Sequence, residues 1–199
     1  MANSAAGTTL ERLIAARDCI VTDYGQLPLC RELTSDVSAF PGGSGFLDRE
    51  PGNRSFMLVM HNYDGSENAL KPENYNSAFW LTLEEYLTGA KVERSDVFLT
   101  NYYMGLRPGS AVGEMASLGG PHFAAQCRRF FNEQIRIIDP SLVIVLGNHA
   151  WKALADWTDR PKVYVAHPSS NRDANVRKQR AAKWIRAIKN ALTEVRSST

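Results

Sequence analysis

The stretch "SLVIVLG", Ser141 to Gly147, constrains this chain more than any other. It is apolar from Leu142 to Leu146, follows Pro140 and ends in a glycine. A strand with no polar face cannot lie with one side in water, so it must be covered on both sides. Helices supply that cover in α/β domains, and helical patterns flank this strand. "HFAAQCRRFFNEQIRII" precedes it, opened by Pro121, which suits a first helical turn, and stopped before Pro140. "NHAWKALADW" follows it as a short helix.

The same alternation runs through the rest of the chain. "SFMLVMH" (Ser55 to His61) reads as a buried strand, and Ser77 can cap a helix in which Phe79, Leu83 and Leu87 recur at helical spacing. "DVFLTNYY" (Asp96 to Tyr103) is a second strand and "KVYVAH" (Lys162 to His167) a fourth. A last helix from Ala174 to Val195 carries Trp184, Ile185, Ile188, Leu192 and Val195 as its apolar stripe. Apolar strands separated by helices imply parallel pairing through right-handed crossovers. The expected fold class is α/β: three layers, α/β/α, around a central, mainly parallel four-stranded sheet.

Residues 1–199 are expected to form a single domain, with 1–54 a helical and loop segment packed on it. Thr8 and Glu11 stand at capping-box spacing at the start of "TTLERLIAARDCI", and residues 23–53 read as irregular loop. Hydrophobic content of 44% and charged content of 22% are those of an ordinary globular protein. No apolar run at the N-terminus suits a signal peptide, and none in the chain suits a membrane span, so a cytoplasmic protein is expected. Cys19, Cys30 and Cys127 are odd in number and form no CxxC pair, which argues against a disulfide framework or an all-cysteine zinc site. The net charge of +2 is mild, but its distribution is uneven. Between Arg172 and Lys189, seven basic residues (Arg172, Arg177, Lys178, Arg180, Lys183, Arg186, Lys189) face one acid, Asp173.

Ligands of open α/β sheets bind outside the carboxyl ends of the strands. Four polar clusters fall there. In "HNYDG" (residues 61–65), Asp64 could act as general base and Asn62 could hold a water; an Asx turn explains the same residues. Asn101 ends the β-branched and aromatic run "VFLTN", and its amide pairs a donor with an acceptor, as reading a nucleobase edge requires; a strand-terminating turn residue is the alternative. Arg107, in "LRPGS", could meet a phosphate. His167 is held extended by Pro168, and a neutral imidazole there could donate to an oxygen that gains charge. Ser169, Ser170 and Asn171 precede the basic helix, a setting that favours phosphates. His61, His122 and His149 have no HxxxH or HExxH spacing, so no metal site is expected.

Taken in order, "LVMHNYDG", "FLTNYYMGLRPG", "CRRFFNEQIRIIDPSLVIVLGNHAWKAL" and "VYVAHPSSNRDAN" resemble the uracil-DNA glycosylase superfamily. The likeness covers roughly residues 56–186 and is closest to the family 4-like branch; the last motif is also similar to the single-strand-selective branch. It implies an enzyme that flips a base out of DNA and hydrolyses its N-glycosidic bond. By that likeness His167 stabilises the leaving base, Asn101 reads its edge and Phe79, or its neighbour Trp80, stacks on it. The loop Ser169 to Arg172 would enter the duplex.

Two departures from the family pattern stand out. Related first motifs read Gly-Glu-Ala-Pro-Gly, Gly-Gln-Asp-Pro-Tyr or Gly-x-Asn-Pro, whereas here Tyr63 and Asp64 occupy the positions of the water-positioning group and the proline. Asn62 or Asp64 could orient water after a small shift, and Tyr63 could instead wall the base pocket. The four-cysteine iron–sulfur cluster of family 4 lacks its partners: Cys127 matches one position, but Gly105-Leu106 stands where a cysteine would precede Arg-Pro. No cofactor is expected. The resemblance thus implies a monomeric, monofunctional uracil-type DNA glycosylase of base-excision repair, with a catalytically weak homologue that binds damaged or single-stranded DNA as the alternative.

Overall fold

The computed structural model describes residues 8–9, 11–13, 15–16, 19, 56–62, 78–103, 115–168 and 174–197. Among these, four strands form one all-parallel sheet: β1 (Phe56–Asn62), β2 (Val97–Tyr103), β3 (Leu142–Leu146) and β4 (Lys162–Val165). The order is β2-β1-β3-β4, with Phe56 paired to Val97 on one side and to Leu142 on the other. Helices α1 (Ala78–Gly89), α2 (Met115–Ile138), α3 (Gly147–Ala153) and α4 (Ala174–Ser197) complete the layers.

The period-two alternation of strands divides the core in two. Met57, Val59, Phe98, Val143 and Val145 point one way, onto Phe123, Phe130 and Phe131 of α2 and Leu154 and Trp157 beyond α3. Leu58, Met60, Leu99, Ile144 and Val165 point the other way, onto Leu83 and Leu87 of α1 and Trp184 and Ile188 of α4. The sheet is thus covered on both faces, which is the three-layer α/β/α arrangement. It is also the physical reason for the continuous apolar strands: each fully buried Leu, Ile or Phe contributes about 1.5–3 kcal/mol wherever it points. Leu13, from the N-terminal helical segment, joins the first cluster. That segment starts with the expected capping box, in which Thr8 N–H donates to Glu11 Oε2 (2.8 Å) and Glu11 N–H to Thr8 Oγ1 (3.2 Å).

Element boundaries move by a few residues for identifiable reasons. A 3-10 turn at Arg94–Asp96 delays β2 to Val97. β4 ends at Val165, leaving His167 beyond the ladder. Helical structure before the third strand starts earlier than Pro121, at Met115, but it breaks at Gly120, whose φ of 76° suits glycine. Pro121 then opens the long part of α2 as expected. A buried polar pair joins β2 to α2: Thr100 Oγ1 donates to Gln134 Oε1 at 2.5 Å. No helix among the described residues is long and apolar enough to cross a membrane.

Candidate functional site

In the order β2-β1-β3-β4 the chain moves outward to one side from β1 and then to the other through β3. The crevice of such a sheet opens where that reversal occurs, outside the carboxyl ends of β1 and β3. His61 and Asn62 end β1, Asn101 to Tyr103 end β2, Gly147 follows β3, and His167 follows β4.

On the α1/α4 side, Asn101 is 1% exposed and shares its side of β2 with Leu99. Its Oδ1 is buried without a hydrogen-bond partner among the described residues. A buried acceptor left unpaired costs about 1–3 kcal/mol, so its retention calls for a reason. His167 is half-buried, its ring stacked on Phe79 with centroids 5.0 Å apart and planes 18° from parallel. Gly147 supports it from the end of β3. Its φ is 80°, and a Cβ there would sit 3.4 Å from His167 Cβ. Burial holds the His167 pKa below the usual 6.5, so the ring is neutral at about pH 7 and one nitrogen carries a donor. β2 and β4, with β1 and β3 between them, are three strand spacings apart, roughly 14 Å.

On the α2/α3 side stands a second group. His61 meets Tyr103 edge to face at 5.2 Å and His149 at 5.0 Å, with the imidazole planes tilted by 34°. Tyr103 is buried and stacks in turn on Phe123 of α2 at 5.8 Å. His149 is exposed. Asn148, between Gly147 and His149, accepts a hydrogen bond from Tyr164 of β4 at 2.7 Å, which ties this turn to the edge strand.

The structure therefore brings His167 and Phe79 together and puts Asn101 on the same side of the sheet. Asn62 is the last residue of β1. Tyr63, Asp64, Arg107, Ser169, Ser170, Asn171 and Arg172 lie outside the described residues. Of the basic segment, Lys178, Lys183, Arg186 and Lys189 are exposed on α4. Cys127 is packed inside the α2 core cluster and Cys19 is exposed, while Cys30 lies outside the described residues. Among the described residues no three His, Cys, Asp or Glu side chains gather as metal ligands would. Sequence reasoning missed the His61–His149 contact. The two residues are far apart in the chain at no motif spacing, and only the β1–β3 pairing joins them.

The parallel α/β sheet thus ends at its carboxyl edge in a neutral imidazole and an amide oxygen without a hydrogen-bond partner among the described residues. The model of the Uracil DNA glycosylase superfamily matches residues 55–192, and the chain belongs to that superfamily. Membership points to glycosylase chemistry, the hydrolysis of N-glycosidic bonds in DNA. A search of curated proteins found no match.

Proposed function

We propose that this chain is a monofunctional DNA glycosylase that flips uracil, or a closely related deaminated base, out of DNA and hydrolyses its N-glycosidic bond. The observation that carries the reading is the neutral His167, stacked on Phe79, together with the buried amide oxygen of Asn101, which has no hydrogen-bond partner among the described residues. An imide base such as uracil presents a ring N–H, which satisfies that oxygen; cytosine presents a lone pair at the same position and would leave it unsatisfied. Phe79 offers an aromatic face for the extruded base.

As the glycosidic bond lengthens, the sugar gains cationic character and the bonding electrons pass to the base. Its oxygen nearest the sugar then carries negative charge, where a hydrogen bond from neutral His167 is strongest. In this reading Asn62 or Asp64 orients the water, and Tyr63 contacts the base. Arg107 and the segment Ser169, Ser170, Asn171 and Arg172 meet the backbone around the extruded nucleotide. The exposed cations of α4 attract phosphates, so affinity falls steeply with salt as counterions are released. The protein acts as a monomer.

The test is a panel of oligonucleotides, each carrying one modified base, scored for strand breakage after alkali. Uracil is expected to be released with formation of an alkali-labile abasic site. Tight, salt-dependent binding with no base released from any member of the panel would make the protein a damaged-base binder instead.

A further inference from the structure

One cluster at the carboxyl edge takes no part in that chemistry: His61 and His149, backed by Tyr103. It lies at the switch point itself, since His61 ends β1 and His149 follows β3. His61 continues the side of β1 that carries Met57 and Val59, the side facing α2 and α3. Phe79 packs on the opposite side. A nucleotide with its base on that side and its sugar over the sheet edge would turn the face of its anomeric carbon away from the base toward the two imidazoles. Incoming water must use that face, because the departing base occupies the other. The first motif makes the point sharper, since Tyr63 stands where related sequences carry the water-positioning group.

We propose that His61 and His149 form the proton-accepting pair for the water that attacks the anomeric carbon, a catalytic role that rests on the glycosylase reading above. The water oxygen bonds to the anomeric carbon as the carbon–nitrogen bond breaks, and that bond's electron pair leaves with the base. The water proton passes to a neutral imidazole of the pair, then through the exposed His149 to solvent, while the base anion is reprotonated from solvent. Buried Tyr103 fixes His61 edge to face, so the half-buried ring is oriented by the core while its neighbour reaches water. Gly147 links the two halves of the site. It lies where a Cβ would come within 3.4 Å of His167 Cβ, and two residues before His149, so donor and acceptor adjoin one strand end. Groups that set the local charge include Tyr103 from β2, each imidazole for the other, and Lys152, one turn beyond His149 on α3.

The experiment uses the full chain with His149→Gln, whose exposed position spares the fold, and His61→Gln beside it. Single-turnover release of uracil is followed from about pH 5 to 8, the window in which imidazole titrates. Affinity is measured on an oligonucleotide bearing 2′-fluorinated deoxyuridine, whose glycosidic bond resists cleavage. The expected result is a rate lower by about a hundredfold, the scale of a lost general base, with affinity within about twofold of the parent. Parent and variants alike should slow in acid as His167, held below its usual pKa by burial, protonates. An unchanged rate would overturn the proposal, and so would a loss of affinity with normal chemistry at saturation, which would make the pair a phosphate contact. A parent that releases no base would instead overturn the glycosylase reading and this role with it.

Discussion

The two ends of the sheet are built on opposite terms. At the amino end the charged side chains are paired, although Trp157 Nε1 is buried without a partner among the described residues. Lys162, which opens β4, donates to the carbonyls of Leu154, Ala155 (3.1 Å) and Trp157 (2.7 Å), closing the turn after α3. Its ammonium lies 5.2 Å from the centre of the Trp151 ring. Arg160 donates to Asp139, in the turn after α2, at 2.6 Å, and Val143 N–H donates to Pro161 O at 2.9 Å. At the carboxyl end the same sheet carries an unpaired amide oxygen, a glycine at positive φ, a desolvated histidine and two imidazoles in contact. The first set lowers the energy of the folded chain; in the second, the buried Asn101 oxygen and the glycine at positive φ raise it. The contrast separates what keeps this protein folded from what it does.

Substitutions at the two ends should therefore move different observables. His167→Ala has the largest expected effect. Loss of a preorganised donor to a developing anion lowers single-turnover base release about a hundred- to a thousandfold, with little change in DNA affinity. If that variant released base at the parent rate, His167 would have no place in the chemistry. Lys162→Met comes next and tests the opposite end. Three carbonyls lose their cationic donor, at a cost of about 2 kcal/mol in chemical denaturation, while activity at 25 °C is retained. A variant that lost activity in step with stability would erase the distinction between the ends. Gly147→Ala sits on the boundary: the positive φ costs about 1 kcal/mol in denaturant melts, while the new methyl meets His167 Cβ at an ordinary 3.4 Å and base release stays near the parent rate.

The smallest effect concerns pH. The His167 pKa is depressed in the folded chain relative to 6.5, so its contribution to stability is complete above that value. It is lost as pH falls through the lower, folded value. Replacing His167 with Phe should flatten that part of the stability profile, measured by denaturant melts across mildly acidic pH. A profile identical to the parent's would show that burial of His167 has no energetic weight.

Much of the fold was legible because burial on both faces leaves its mark in the strands themselves. "SLVIVLG" could be neither an edge nor a one-sided strand, and its neighbours had to be helices. The capping box at Thr8 and the proline at 121 were equally plain, since each follows from local geometry alone. The order of strands was not legible, because nothing in β1 says that it pairs with both β2 and β3. The site divided along the same line. His167 and Asn101 could be singled out as polar residues that end strands. Phe79 was found through the resemblance, as its helical spacing reads equally well as core. Gly147 passed as a strand terminator, because a positive φ and a neighbour across two strands leave no trace in composition. The His61–His149 contact was invisible for the same reason, being made by topology and not by spacing.

The central position of β1 has a consequence for how the chain is made. Phe56 finds Val97 after 41 residues of intervening synthesis (97 − 56), but Leu142 only after 86 (142 − 56). Until β3 emerges from the ribosome, β1 has one edge without a partner, and loop closure over such distances must precede any reward from pairing. The nascent chain therefore holds an apolar strand half-finished while those 86 residues are made. Its vulnerability to aggregation ends only when "LVIVL" arrives to close it.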